Sequence, residues 1–296
     1  MVSQDCNGSV LELSAKSFGT LLQNQSLQVD HLLEHYFCDD NLTSVRRIIK
    51  VLCDCLGRGQ KIILVGIGKS LKIAEKCAAT LQSMGLAPIT MHPTDALHGD
   101  IGSIQSGDCV LACSSSGETE EIINLLRYLD NNDVWSVVHK IAVCRDSQST
   151  LAQMSDECLL VPQKHKECEI QNGLPAPTVS STSMLVVLDC LSLALSQAFR
   201  NGDLVARNKL FSTMHPGGSI GKKNQPNGVH SATVETGKIH IGMNELEILR
   251  AVTLNDWVEW ESTITLPSKV IKSLYRNWAS DQHTSFDRYL ARKLFK

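Results

Sequence analysis

No block of basic residues interleaved with aromatics occurs in this chain, and 28 Lys and Arg against 31 Asp and Glu leave a net charge of −3 over 296 residues. The electrostatic footprint of a nucleic-acid binder is missing, which points toward a small ligand. The segment Met1–Gly8 has neither the basic stretch nor the apolar core of a signal peptide. The longest apolar stretch, Met184–Leu195, is interrupted by Asp189, so a membrane span is not expected. These absences together predict a soluble, cytoplasmic protein with neither nucleic-acid nor membrane partners. No second cysteine pair or histidine cluster accompanies Cys53 and Cys55 at zinc-site spacing. The 11 cysteines are odd in number and mostly single within apolar segments (Cys77, Cys109, Cys113, Cys144, Cys190), which predicts buried free thiols. Internal repeats and long low-complexity segments are also missing.

What is present begins at residues 66–70, Gly-Ile-Gly-Lys-Ser, directly after the apolar run Lys61–Val65 and before a helical pattern. A Walker A loop needs a glycine where Ile63 stands, and a dinucleotide fingerprint needs a third glycine where Leu71 stands. What remains is the general property of helix N-termini, whose unpaired N–H groups and dipole favour phosphate. The arrangement recurs where Asp108–Cys113 runs into Ser114, Ser115, Ser116, Gly117, Glu118 and Thr119 before another helix. Two strand ends carrying glycines and hydroxyls suggest one phosphorylated ligand.

Helical periodicity covers about Ser9–Leu22, Val29–Phe37 and Leu42–Leu56, with a stop at Gly57-Arg58-Gly59. Strand-like runs then alternate with helices: Lys61–Val65, helix Ser70–Met84, Ala87–Met91, Asp108–Cys113, helix Glu118–Leu129, Lys140–Cys144, Glu157–Val161, and a long helix Val179–Arg200. Short continuous apolar runs between helices predict an α/β fold with a parallel sheet covered on both faces. Residues 201–221 are expected to close this core, and Lys222–Gly228 reads as a polar linker. The tail beyond it holds Trp257, Trp260 and Trp278 and ends in amphipathic Phe286–Phe295, with packing on the core or a second subunit as the alternatives.

Several polar residues could carry chemistry. Ser115 and Glu118 have the spacing of a capping box, which would account for two residues of the hydroxyl cluster but not the rest. Glu118 suits a solvated first helical turn, whereas Glu121, one turn in, could point at a ligand. The segment His92–Asp100 reads as a loop carrying two histidines and two aspartates, and a third histidine, His215, opens another glycine-rich turn. Lys166 and Glu167 precede the segment 173–182, where Thr178, Ser180 or Ser181 should cap the following helix or bind ligand.

In order and spacing, GIGKS (66–70), HPTDALHGD (92–100), SSSGETEEI (114–122), PAPTVSST (175–182) and HPGGSIG (215–221) resemble the SIS (sugar isomerase) domain of arabinose 5-phosphate isomerases. The resemblance spans roughly residues 40–222. It implies a five-stranded parallel sheet flanked by helices, a flavodoxin/Rossmann-like three-layer sandwich, assembled as a homotetramer with sites lined by more than one subunit. Domain bounds follow as 1–222 for the SIS domain with N-terminal helices (core about 40–200) and 223–296 for a C-terminal extension. The segment Cys168–Ala176 is slightly longer than the family's usual pattern. The paired CBS module of many members does not fit into residues 223–296, so regulation through it is not expected.

The resemblance implies interconversion of D-arabinose 5-phosphate and D-ribulose 5-phosphate through a cis-enediol, with no cofactor. It places Lys69, His98, Glu121, Glu167 and His215 in the catalytic set. Gly66, Gly68, Ser70, Ser114, Ser115, Ser116, Thr119 and Ser180 are the expected substrate contacts. His98 suits ring opening or oxygen protonation, Glu121 or Glu167 the carbon-bound proton, and Lys69 the developing charge. An inhibitory divalent ion at Glu121, Glu167 and His215 is a further expectation. The competing reading is a non-catalytic phosphosugar-binding regulator, or an isomerase of another sugar phosphate.

Overall fold

The computed structural model describes residues 8–37, 39–217, 236–262, 264–279 and 284–295. The chain divides into two compact units, Met1–Gln225 and Pro226–Lys296. The expected linker at Lys222–Gly228 and the last residues of the HPGGSIG block lie outside the described residues.

In the first unit, β1 (Ile62–Gly66), β2 (Ile89–Met91), β3 (Cys109–Cys113), β4 (His139–Cys144) and β5 (Glu157–Leu160) form one sheet in the order β2-β1-β3-β4-β5. Every pairing is parallel, with Gly66 opposite Cys113 and Cys113 opposite Val143. The central strands β1 and β3 are continuous apolar runs because both of their faces are covered. Side chains alternate across the sheet, so Ile62, Leu64, Leu111, Ile141 and Val143 enter one core cluster and Ile63, Val65, Val110, Ala112 and Ala142 the other. The first cluster is completed by α2 (Asp39–Gly57), α3 (Gly68–Ser83) and α8 (Val179–Phe199) through Ile48, Leu52, Cys77, Leu81, Leu188 and Leu195. The second is completed by α4 (Pro93–Leu97), α5 (Glu120–Asp130) and α6 (Thr150–Gln153) through Ala96, Ile122, Leu125, Leu126 and Leu151. The result is the expected α/β fold, a five-stranded parallel sheet flanked by helices.

Buried Asp108 sets the lower edge of the sheet. Its carboxylate accepts the Lys61 N–H and the Gln105 N–H, each at 2.8 Å, and pairs with the Lys61 ammonium at 3.1 Å. The starts of β1 and β3 are thereby tied together. Among the described helices α8 alone is long and apolar enough to cross a membrane, and its Met184, Val187, Leu188, Leu191 and Leu195 pack into the core. The nine described cysteines are free thiols, and Cys77, Cys109, Cys113 and Cys144 are buried as expected, whereas Cys190, also expected to be buried, is exposed on α8.

Two local expectations are corrected. The first two predicted helices are one, α1 (Gly8–Tyr36). Its polar interval Gln23–Gln28 interrupts the apolar pattern but contains no glycine or proline to stop a helix. The segment His92–Asp100 is not loop throughout. Pro93 opens α4 at a position where its missing N–H costs nothing, and His92 Nδ1 accepts the Thr94 N–H at 3.3 Å. Within residues 201–221, helix α9 (Leu204–Thr213) is capped by Asp203, whose carboxylate accepts the Ala206 N–H at 2.9 Å.

The second unit buries its own core. Strand β6 (Thr236–Ile239) pairs in parallel with β7 (Trp257–Trp260) across α10 (Glu245–Leu254), and β7 pairs antiparallel with β8 (Ile264–Pro267). Trp260, Val258, Ile239, Ile248 and Val252 are buried with Ile271 of α11 (Ser268–Ala279) and Leu290 of α12 (Phe286–Phe295). Tyr275, Trp278 and Phe286 pack on one another in tilted and edge-to-face pairs with ring centroids 5.2–5.6 Å apart.

Candidate functional site

The strand order reverses direction between β1 and β3, and open α/β sheets bind ligands beyond the carboxyl ends of their strands at such a point. Because Gly66 and Cys113 are register partners, the Gly-Ile-Gly-Lys-Ser and Ser-Ser-Ser-Gly-Glu-Thr segments leave the sheet side by side.

The first segment is held close by its glycines. A Cβ on Gly66 would lie 2.8 Å from the Leu71 backbone nitrogen, so only glycine lets α3 start this near the strand end. Gly68 adopts φ +56°, a conformation costly to other residues. The N-cap position of α3 is Ile67, which offers no side-chain acceptor. First-turn N–H groups are therefore unclaimed by a side chain, with Ser70 half-buried beside them and Lys69 exposed. Lys69 makes no ion pair among the described residues.

The second segment is a hydroxyl cluster. Buried Ser114 has its Oγ 2.7 Å from Thr119 Oγ1 and 3.4 Å from Ser116 Oγ, and it accepts the Gly117 N–H at 3.1 Å. Ser116 Oγ accepts the Glu118 N–H at 3.1 Å. The capping box expected from Ser115 and Glu118 does not form, because α5 starts at Glu120 behind Thr119, which makes no side-chain cap. Thus the two helices that open at the switch point both lack side-chain caps. Elsewhere His92, Ser149, Asp203 and Asn244 cap their helices in the ordinary way.

Glu118 is neither free nor a ligand candidate. Its carboxylate accepts the Thr150 N–H at 2.8 Å, and hydrogen bonds from the Thr150 N–H and hydroxyl hold its pKa below the ordinary carboxylate value. The Gly117 carbonyl accepts from Leu151 N–H at 3.0 Å and the Ser115 carbonyl from Arg145 N–H at 3.1 Å. Gly117 itself has φ +73°, and a Cβ there would lie 2.2 Å from Ser149 Oγ. The segment 145–151 is thus a brace for the hydroxyl cluster. Sequence reasoning missed it, although Ser149 carries a helix-cap signal.

The remaining expected residues are distributed unevenly. Glu121 is exposed in the first turn of α5, and His98 is exposed at the C-terminal end of α4, which packs on α5. Glu167 is buried in the short helix α7 (Glu167–Ile170), beyond β5. Strand spacing puts β5 about 10 Å from β3. The Glu167 carboxylate accepts the Ser180 N–H at 3.0 Å and so caps α8 from outside that helix. Burial by itself raises the Glu167 pKa, but hydrogen bonds from the Ser180 hydroxyl and N–H, together with its own backbone N–H and the Gln163 side chain, leave the net shift downward. The expected cap from Thr178, Ser180 or Ser181 is absent. Thr178 donates to the Gln171 side chain instead, and Ser181 donates to the Pro177 carbonyl at 2.8 Å.

Among the described residues His215 makes no hydrogen bond to the Gly66–Ser70 or the Ser114–Thr119 segment. Leu210 of α9 packs against Gly85, where an added Cβ would meet it at 2.5 Å, and Gly85 lies just past the far end of α3. His215 Nδ1 lies 2.7 Å from the Phe211 carbonyl, with its ring 4.3 Å from that of Phe211. That contact orients the imidazole. The expected metal site at Glu121, Glu167 and His215 is not assembled within one chain. No group of three or more metal-ligating side chains occurs among the described residues.

A family model described as the SIS domain matches residues 57–194. Arabinose 5-phosphate isomerase KpsF of Escherichia coli is 34% identical over 209 residues, which is 69% of this chain and 56% of KpsF. Arabinose 5-phosphate isomerase KdsD of Yersinia pestis is 36% identical over 197 residues, 64% of this chain and 52% of KdsD. A solved E. coli CFT073 protein in complex with arabinose 5-phosphate superposes with a TM-score of 0.57 at 33% identity, covering 71% of this chain and 100% of that one. The chain spans about half the length of the curated relatives it matches.

Proposed function

Because this chain belongs to the SIS-domain family, we propose that it is an aldose–ketose isomerase interconverting D-arabinose 5-phosphate and D-ribulose 5-phosphate. One observation carries the phosphate end of this reading: two helix N-termini without side-chain caps open onto the same switch point, between the hydroxyls of Ser70, Ser114, Ser116 and Thr119. The names of KpsF and KdsD, and the arabinose 5-phosphate complex of the related structure, support the sugar end.

In the proposed reaction the sugar ring opens with the phosphate held between α3 and α5. His98 serves the ring oxygen and the sugar hydroxyls. A carboxylate removes the proton from C2, and the electron pair forms the C1–C2 double bond of a cis-enediol as O1 takes a proton. Returning a proton to C1, with loss of the O2 proton, gives the ketose. Glu121 stands in the first turn of the phosphate-binding helix α5, free of the hydrogen bond that occupies Glu167. We therefore assign the carbon-bound proton to Glu121. Glu167, fixed at the N-terminus of α8, is given the oxygen protons. The exposed Lys69 ammonium stabilises the enediolate charge. His215 would reach a site on a second copy of the chain, in a homo-oligomer.

The test is incubation with arabinose 5-phosphate in D2O, followed by NMR. The expected product is ribulose 5-phosphate carrying solvent deuterium at C1. Binding of the phosphosugar with no conversion would instead favour the non-catalytic regulator.

A further inference from the structure

Strand β5 is an edge of the sheet, and an uncovered edge exposes a row of backbone carbonyls. In this chain α1 and α2 cover that row. The Cys158 carbonyl accepts from the Ser44 hydroxyl at 3.5 Å, the Leu160 carbonyl from the Tyr36 hydroxyl, and the Pro162 carbonyl from Gln28 Nε2 at 2.8 Å. Gln28 Oε1 also accepts the Lys164 N–H at 3.2 Å, and Asn24 Nδ2 donates to the Ile170 carbonyl at 3.4 Å. The α1 partners fall at positions 24, 28 and 36, with buried Leu32 filling the fourth place of an i+4 stripe. As α1 advances from Asn24 to Tyr36, its partners retreat from Ile170 to Leu160. The helix thus runs antiparallel to the segment that carries Glu167.

Gln28 is the centre of this stripe. It is buried, and its amide spends a donor and an acceptor on two residues just upstream of Glu167. Asn24 holds the other end of α7. Between these two anchors the Glu167 carboxylate meets Ser180 N–H at 3.0 Å.

We infer that Gln28, seconded by Asn24, is a positioning residue through which α1 sets the place of the Glu167 carboxylate relative to the α8 N-terminus and the substrate. The inference rests on the isomerase reading above. Gln28→Leu leaves the Pro162 carbonyl and the Lys164 N–H unpaired, so the Glu167 segment loses its upstream anchor. Turnover of arabinose 5-phosphate should fall by about ten- to a hundredfold, the scale of an ångström-sized misplacement, while KM stays within about twofold because the phosphate loops are untouched. The acidic limb of the kcat/KM pH profile should move to higher pH, since a Glu167 freed from Ser180 loses the hydrogen bonds that depress it.

The experiment compares wild type, Gln28→Leu, Asn24→Ala and the surface control Lys164→Ala by steady-state kinetics across pH and by amide hydrogen exchange at Ser180. Faster Ser180 exchange with the kcat-selective loss in Gln28→Leu, and a weaker form of both in Asn24→Ala, supports the inference. Should Gln28→Leu not fold, the partly exposed Asn24 site supplies the same comparison. A folded variant with wild-type kcat, acidic limb and Ser180 exchange overturns it, as does lowered thermal stability with those three unchanged. Wild-type inactivity on every sugar phosphate would sink the isomerase reading instead. The Ser180 exchange rates would then judge the positioning claim alone.

Discussion

Replacing Gly117 with alanine puts a methyl carbon 2.2 Å from Ser149 Oγ and 2.4 Å from Ser149 Cβ, at a backbone φ of +73°. Two separate costs follow. The left-handed conformation costs a non-glycine residue roughly 1–2 kcal/mol. The steric conflict in a packed setting adds about 1–3 kcal/mol, because Ser149 is the cap of α6 and cannot simply swing away. A total near 3 kcal/mol corresponds to a drop in Tm of roughly 6–12 °C for a unit of this size. The functional effect should exceed the stability effect. Gly117 N–H is the donor to Ser114 Oγ at 3.1 Å, so any displacement opens the hydroxyl cluster and raises KM for phosphorylated sugars. A double-mutant cycle with Ser149→Gly separates the costs, because removing the Ser149 side chain relieves the clash but not the φ strain. Thermal unfolding and KM should both recover by about half in Gly117→Ala/Ser149→Gly. An alanine at 117 that melts and binds as wild type, or a double variant no better than the single, would refute the packing argument.

Four shorter expectations accompany it. His98→Asn should lower kcat by roughly two to four decades with little change in KM, and near-wild-type turnover would remove His98 from the chemistry. Ser114→Ala should raise KM for the sugar phosphate by about tenfold, the scale of one hydrogen bond to a charged group, which substrate-saturation kinetics would read. Leu111→Ala, in the centre of the sheet, should cost about 2–5 kcal/mol in urea unfolding without altering KM. Glu167 has a folded pKa depressed below its ordinary 4.5, so its stabilising effect is present above that pH and fades as pH falls through the folded value. The stability gap between wild type and Glu167→Gln in urea should therefore narrow in acid, and a gap independent of pH would show that the Ser180 contact does not matter.

The sheet was legible from its centre, where β1 and β3 are buried throughout and so read as uninterrupted apolar runs, Ile62–Gly66 and Cys109–Cys113. The two strand-to-helix segments at the switch point were legible for a related reason: glycines and hydroxyls stand out directly after a buried strand. What failed was everything decided by distant partners. The break expected in α1 is where Asn24 and Gln28 replace apolar residues because their targets are backbone carbonyls and an N–H of the β5 edge segment, more than a hundred residues away in sequence. The Ser115–Glu118 capping box matched a local pattern, yet Thr150 claimed Glu118 from across the turn. Glu167 could be named as a polar site residue, but its service as the cap of α8 follows only from the folded chain. His215 likewise gave a motif and no location, and its Nδ1 contact with the Phe211 carbonyl follows only from the folded chain.

The most direct measurement incubates the purified chain and chelator with D-arabinose 5-phosphate, and follows ribulose 5-phosphate against ribose 5-phosphate and glucose 6-phosphate as parallel substrates. Turnover of arabinose 5-phosphate in preference to both is expected. Absence of turnover on all three, with phosphosugar binding still detectable, would contradict it and leave a phosphate-binding fold without the isomerase chemistry.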